Sequence, residues 1–248
     1  MFSRFNLRRL PLLAIGLAVL LLAVIAVGLV TDTAVSPKPK DNYSPPAPVP
    51  VTGGAVSSPS PSPQAAHPGP MRLVQGVELV NGVYVGYPHS TQGAVSAAAE
   101  YLTQIGSTLD PDRSAAVARL VAAPSYTSAP TLVAQGTVIA RRKVGVAASG
   151  QIPAGVSVEL TPVQYQLRGS TPDQVTVLFL GDYTQTLVNG SSQVSLGVWP
   201  VRMAWADGDW KLLPDQPGAS YTVLRAQPGS PQAAAKGWQA LEPAGAAG

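Results

Sequence analysis

The sequence predicts an α+β domain of three helices followed by four long antiparallel strands, and three observations carry that prediction. Between residues 88 and 145 apolar side chains recur at helical spacing. After Gly155 the chain turns to long runs rich in β-branched and aromatic residues, separated by turn signals. In "VRMAWADGDWKLLPD", 201–215, Asp207 and Gly208 stand between two such runs. That dipeptide is the two-residue loop of a β-hairpin, which would place Trp205 and Trp210 on neighbouring strands. A calcium site is the competing account, but calcium takes six to eight oxygens and only Asp207, Asp209 and Asp215 are near.

The elements follow in chain order. Residues 1–9 form a short tail carrying Arg4, Arg8 and Arg9, too short for a domain of its own. Residues 10–30, "LPLLAIGLAVLLLAVIAVGLV", are uncharged. At helical rise they span roughly 30 Å, the hydrocarbon thickness of a bilayer. A single transmembrane helix is therefore expected. A cleaved signal peptide, with its shorter apolar region, fits less well. The arginines before the span place the N-terminus in the cytoplasm and the remainder outside the cell membrane.

Eleven of the forty residues in 31–70 are proline, which favours a semi-rigid spacer with a reach on the order of 120 Å. Residues 71–87 lead into the folded domain at 88–226, and 227–248 read as a small-residue tail that frays, with Trp238 the one side chain suited to docking.

Within the domain, Ser90 or Thr91 caps a first helix with Ala94, Ala98, Tyr101, Leu102 and Ile105 on one face and Gly106 as its stop. Asp110 and Pro111 open a second helix, with Val117, Leu120 and Val121 inward. A third runs over 130–144, burying Leu132, Val133, Gly136, Ile139 and Ala140. Four strand segments follow, beginning near Val156, Asp173, Ser192 and Asp209. Trp199, Val201, Met203 and Trp205 share one face of the third, and Pro162 and Pro200 mark bulges or edge positions.

Charge and composition narrow the function. Arg4, Arg8, Arg9, Lys38 and Lys40 against Asp32 and Asp41 carry the whole net charge of +3, while the domain's nine basic and nine acidic residues cancel. No direct nucleic-acid surface is expected. The chain has no cysteine, which excludes disulfides and thiolate chemistry. No cofactor and no metal are expected, and no catalytic residue is assigned. Two clusters remain as candidate sites. Arg141, Arg142 and Lys143 end the third helix, either as a partner-binding patch or as a solvated last turn that suits the helix dipole. Tyr165, Asp182 and Tyr183 lie on strands and form an alternative site if they converge. Their bland alternative is two strand tyrosines and a bulge aspartate beside Gly181.

Three helices, four bent strands and the closing hairpin "MAWADGDWKLLP" resemble the nuclear-transport-factor-two-like superfamily. That resemblance implies a cone-shaped domain of three helices on a curved four-stranded antiparallel sheet. The order of short tail, membrane span, proline-rich spacer and this domain resembles the bitopic TcpC-like scaffold subunits of type IV secretion and conjugation machines. The stretch "VNGVYVGYPHSTQGAVSAAAEYL" is similar to the start of the domain in actinobacterial membrane proteins found with mobile elements. The resemblance implies a non-catalytic scaffold whose partners are the membrane, other subunits of a transfer apparatus and further copies of itself. The alternative is a cone that binds or acts on a small molecule or wall component. A cone plugged by Phe179, Trp199, Met203 and Trp205 would favour the scaffold; a deep cone with Asp182 and a tyrosine converging would favour the alternative.

Overall fold

The computed structural model describes residues 69–216 and 218–245. The three expected helices are present, and the first two start where side chains satisfy their first amides. Helix α1 spans Thr91–Gly106, with Ser90 Oγ accepting from Gly93 N, and α2 spans Pro111–Val121, with Asp110 accepting from Asp112 N and Arg113 N. Helix α3 spans Ala129–Lys143. The inner face of α1 is built of Ala94, Ala97 and Ala98, all with no exposed surface, so the helix lies close on the sheet. Gly106 is required there, because an added Cβ would meet the Leu160 side chain at 2.7 Å.

The expected four-stranded sheet with three helices is corrected by the structure. Among the described residues a six-stranded curled sheet runs in the order β1 (Met71–Arg72), β8 (Gln239–Glu242), β4 (Ser157–Ser170), β5 (Gln174–Thr186), β6 (Ser192–Ala206), β7 (Asp209–Leu213), a separate two-stranded sheet pairs β2 (Glu78–Val80) with β3 (Val83–Val85), and there are four α-helices. The predicted strands are β4 (Ser157–Ser170), β5 (Gln174–Thr186), β6 (Ser192–Ala206) and β7 (Asp209–Leu213), joined antiparallel. The additions come from the two flanks. The lead-in segment supplies β1 (Met71–Arg72), β2 (Glu78–Val80) and β3 (Val83–Val85). The expected tail supplies helix α4 (Pro231–Ala235) and β8 (Gln239–Glu242). Strand β8 pairs parallel with β1 and antiparallel with β4. Trp238 docks rather than fraying: its indole N–H donates to Leu224 O at 2.9 Å and it is 3% exposed.

Among the described residues no helix is long and apolar enough to cross a membrane, and α1, at 16 residues, is the longest. The expected membrane-spanning helix therefore has no counterpart among them. Residues 10–30 and most of the proline-rich spacer lie outside the described residues.

Sheet and helices enclose the core. Val175, Val177, Phe179, Val201, Met203 and Trp210 meet Val95, Tyr101, Val117 and Val121 from the helices. Phe179 and Met203 have no exposed surface. Each such side chain contributes about 1.5–3 kcal/mol of burial. The opposite face of β5 and β6 is covered by the C-terminal segment, where Leu178, Leu180 and Val198 pack with Ala226, Ala233 and Trp238. Pro162 sits at a register shift in β4, as expected of a strand proline.

The hairpin has the expected turn. Asp207 has φ 53° and Gly208 φ 79°, both in the left-handed region that a type I′ turn demands. Trp205 faces Trp210 across the pair, with ring centroids 5.6 Å apart at 71°. Replacing Gly208 with Val forces a β-branched residue into positive φ and is expected to cost more than about 1 kcal/mol in chemical denaturation. Calcium is expected to leave the melting temperature of the native chain unchanged. Unaltered stability of Gly208→Val, or a calcium-dependent rise, would contradict the turn account.

Candidate functional site

The alternative site does not assemble. Tyr165 and Tyr183 both point toward the helices, but Tyr165 pairs with Phe179, four residues from Tyr183 along β5. At strand rise that separates them by about 13 Å. Tyr165 is fully buried and its hydroxyl donates to Gly69 O at 3.0 Å, while Tyr183 packs among Leu109, Val144, Val158 and Leu160. Burial raises the Tyr183 hydroxyl to about 12, so it stays protonated. Asp182 projects from the opposite face, between Thr161 and Leu196.

The helix end at 141–143 divides as well. Arg142 and Lys143 are exposed, but Arg141 is 2% exposed and donates to three carbonyls: Ala147 O at 2.6 Å, Leu109 O at 2.9 Å and Gly150 O at 2.7 Å. It clamps the loop after α3 and presents no surface to a partner.

Asp209, which the sequence offered only as a calcium ligand, and His89 both serve the fold. Asp209 is 6% exposed. It accepts from Tyr87 N at 3.0 Å, Trp210 N at 2.8 Å, the Tyr101 hydroxyl at 3.3 Å and Lys211 Nζ at 3.3 Å. Desolvation and then the charge of Asp209 raise the Tyr101 hydroxyl, which keeps it a donor. His89 stacks on Trp205 with centroids 4.2 Å apart and lies 2.9 Å from Asp173 Oδ1. No local pattern links His89 to a tryptophan more than a hundred residues away.

The feature best suited to binding is an apolar groove of about 350 Å³ at the end of β7. Consecutive residues of β6, Val198 to Arg202, all line it. Successive strand side chains point to opposite faces. Indeed Val201 belongs to the helix-side core, and Val198 packs with Tyr221 on the other side. A cavity touched by both sets therefore lies in the plane of the sheet, against the strand's edge. It occupies the line that β7 would follow if it did not stop at Leu213. Ile105 and Tyr126 wall the helix side and Tyr221 the other.

The turn identifies which main-chain groups face this edge. In a two-residue hairpin Ala206 and Asp209 form a hydrogen-bonded pair, and such pairs alternate. Even-numbered residues of β6 thus point toward β7 and odd ones toward β5. Trp205 N accordingly donates to Asp173 O, on the β5 side. Beyond Arg202, where β7 ends, Val198, Leu196, Val194 and Ser192 present both N–H and C=O outward, and Pro200 its carbonyl alone. Among the described residues none of them has a main-chain partner on that side.

Two charged groups stand at the groove. Arg202 Nη1 donates to Pro214 O at 2.6 Å, and burial pushes the Asp215 carboxyl up to about 6, an effect that Arg202 opposes.

A family model described as "Domain of unknown function (DUF8175)" matches residues 37–238. The chain belongs to this family. No curated protein and no solved structure matches it. The match covers all the groove-lining residues.

The Asp215 carboxyl supplies a pH test. Between its ordinary value of 3.8 and about 6 the folded state binds more protons than the unfolded state, so stability falls as pH rises through that window. Asp215→Asn removes this dependence. Melting temperatures from about pH 3.5 to 7 are expected to show the variant gaining on the native chain between about 4 and 6; parallel curves would contradict the assignment.

Proposed function

We propose that this chain is a non-catalytic assembly subunit whose α+β domain works by protein–protein contacts outside the cell membrane. The machine that its sequence resemblance suggests is a conjugative transfer apparatus. The observation that carries this reading is the groove in the sheet plane, which joins an apolar cavity to a row of unpaired strand amides and carbonyls. Such a combination suits an extended polypeptide, which fills both needs at once. Support comes also from the interior. Phe179 and Met203 fill the interior between sheet and helices, and Trp205 packs against that cluster. Tyr165 and Asp209 spend their polar atoms on the fold itself. Arg142 and Lys143 remain available to set the approach of a partner.

The groove's volume favours one second reading, a site for a small, mainly apolar molecule with Asp215 and Arg202 at its rim.

Transfer measured in the host, with folding checked by circular dichroism, separates the two. Tyr165→Phe, Asp182→Asn and Tyr183→Phe are expected to leave transfer within about threefold of the native level, because no proton transfer depends on them. Tyr221→Lys places a charge in the groove and is expected to lower transfer by tenfold or more. Loss of transfer in a normally folded Asp182→Asn variant, with Tyr221→Lys unaffected, would overturn the assembly reading.

A further inference from the structure

Edge strands invite pairing with other chains, and folded proteins commonly blunt them with charges, prolines, shortness or a covering segment. The two terminal strands of the main sheet are managed in this way. Strand β1 is two residues long and ends in Arg72. The outer side of β7 is covered where Ala123 N donates to Leu212 O at 2.9 Å. The free length of β6 has none of these devices. From Tyr183 to Val201 the sequence holds no charged residue, and no proline before Pro200. Its pairing with β5 is continuous, with no register shift from Ser192 to Ala204. Val194 is 65% exposed.

The unpaired groups also have a symmetry. Ser192, Val194, Leu196 and Val198 each offer an N–H and a C=O, and the row stops at Pro200, which has no N–H to give. That set of four is symmetric about Ser195. If a second β6 is laid antiparallel against the first with a twofold axis at Ser195, Ser192 meets Val198 and Val194 meets Leu196, and every outward N–H and C=O of the row finds a partner. In an isologous contact any charge close to the axis confronts its own copy. The absence of charge along this stretch removes that repulsion.

We propose that the free edge of β6 binds the same edge of a second copy of this chain, joining two six-stranded sheets into one across a twofold axis at Ser195. This rests on the reading of the domain as an assembly module and names one of its partners.

The chain has no native cysteine, so Ser195→Cys in the full-length protein carries the only thiol. Ser195 falls between hydrogen-bonded pairs, where opposed Cα atoms lie about 4.5 Å apart, within disulfide range. Oxidation with copper phenanthroline in cells producing the full chain, followed by non-reducing electrophoresis, is expected to give a covalent dimer. Its yield should exceed by at least tenfold that from the exposed controls Ser149→Cys and Ser170→Cys. Adding Val194→Lys, which puts a like charge on each strand beside the axis, should reduce the Ser195→Cys dimer to the control level. Equal yields at all three positions, an adduct only to a different chain, or no dimer from the Ser195→Cys variant although maleimide labels its thiol readily would each overturn the proposal. The readout is a cross-link and not transfer, so its failure would leave the assembly reading to its own test.

Discussion

The two-residue turn at Asp207 and Gly208 is the constraint on which the rest of the account depends. Positive φ at both positions leaves the hairpin one register, and that register decides the direction of every amide in β6. Shifted by one residue, Trp210 would leave the core and the free edge would turn its odd-numbered groups outward. The turn is held from behind by Asp209, whose carboxylate ties it to Tyr87 before α1 and to Tyr101 within α1. A buried carboxylate with several donors is costly to break, because loss of one member leaves the others unpaired. The hairpin, the first helix and the segment before it are thus locked as one unit.

From that unit the binding surface follows by subtraction. Strand β6 is 15 residues long and β7 only five, and the next β7-side residue that could bond toward β6, Asp215, would face Pro200, which has no N–H to give. The remainder of β6 is left without a neighbour. The C-terminal segment covers the outer face of β5 and β6 through Trp238 and Ala233 but makes no main-chain bond to the edge among the described residues. The groove is therefore the mismatch in length between two strands, bounded by α1 on one side and by Tyr221 on the other. Mismatched strand lengths leave a binding site with no need for catalytic side chains.

Much of this was legible in the sequence wherever the signal was local. Ser90, Asp110 and Pro111 mark their helix starts through side-chain capping, and Asp207-Gly208 marks its turn through backbone preference. Strands β2 and β3 pair locally across Asn81-Gly82, the same kind of turn signal, and were missed; strands β1 and β8 were hidden for the opposite reason. Met71 pairs with Leu241, so neither short strand has a partner near it in sequence, and both lie in segments rich in proline, glycine and alanine. Arg141 was a further readable miss. It stands four residues after Thr137 and eight after Val133, on the same buried stripe of α3, whereas Arg142 falls outside it. The edge was half legible: Pro200 pointed to an edge position, but only the observed end of β7 shows how far the open stretch runs.

The central claim is that the even-numbered amides of β6 face outward and lack a partner in the single chain. Residue-resolved hydrogen exchange on the full-length protein, dispersed to low concentration, tests it most directly. The account predicts alternation, with slow exchange at Gln193, Ser195, Gly197 and Trp199, which are bonded to β5, and fast exchange at Val194 and Leu196 between them. Uniform protection along Ser192–Val198 in the dispersed chain would mean that another part of the same molecule already covers the edge, and would contradict the account.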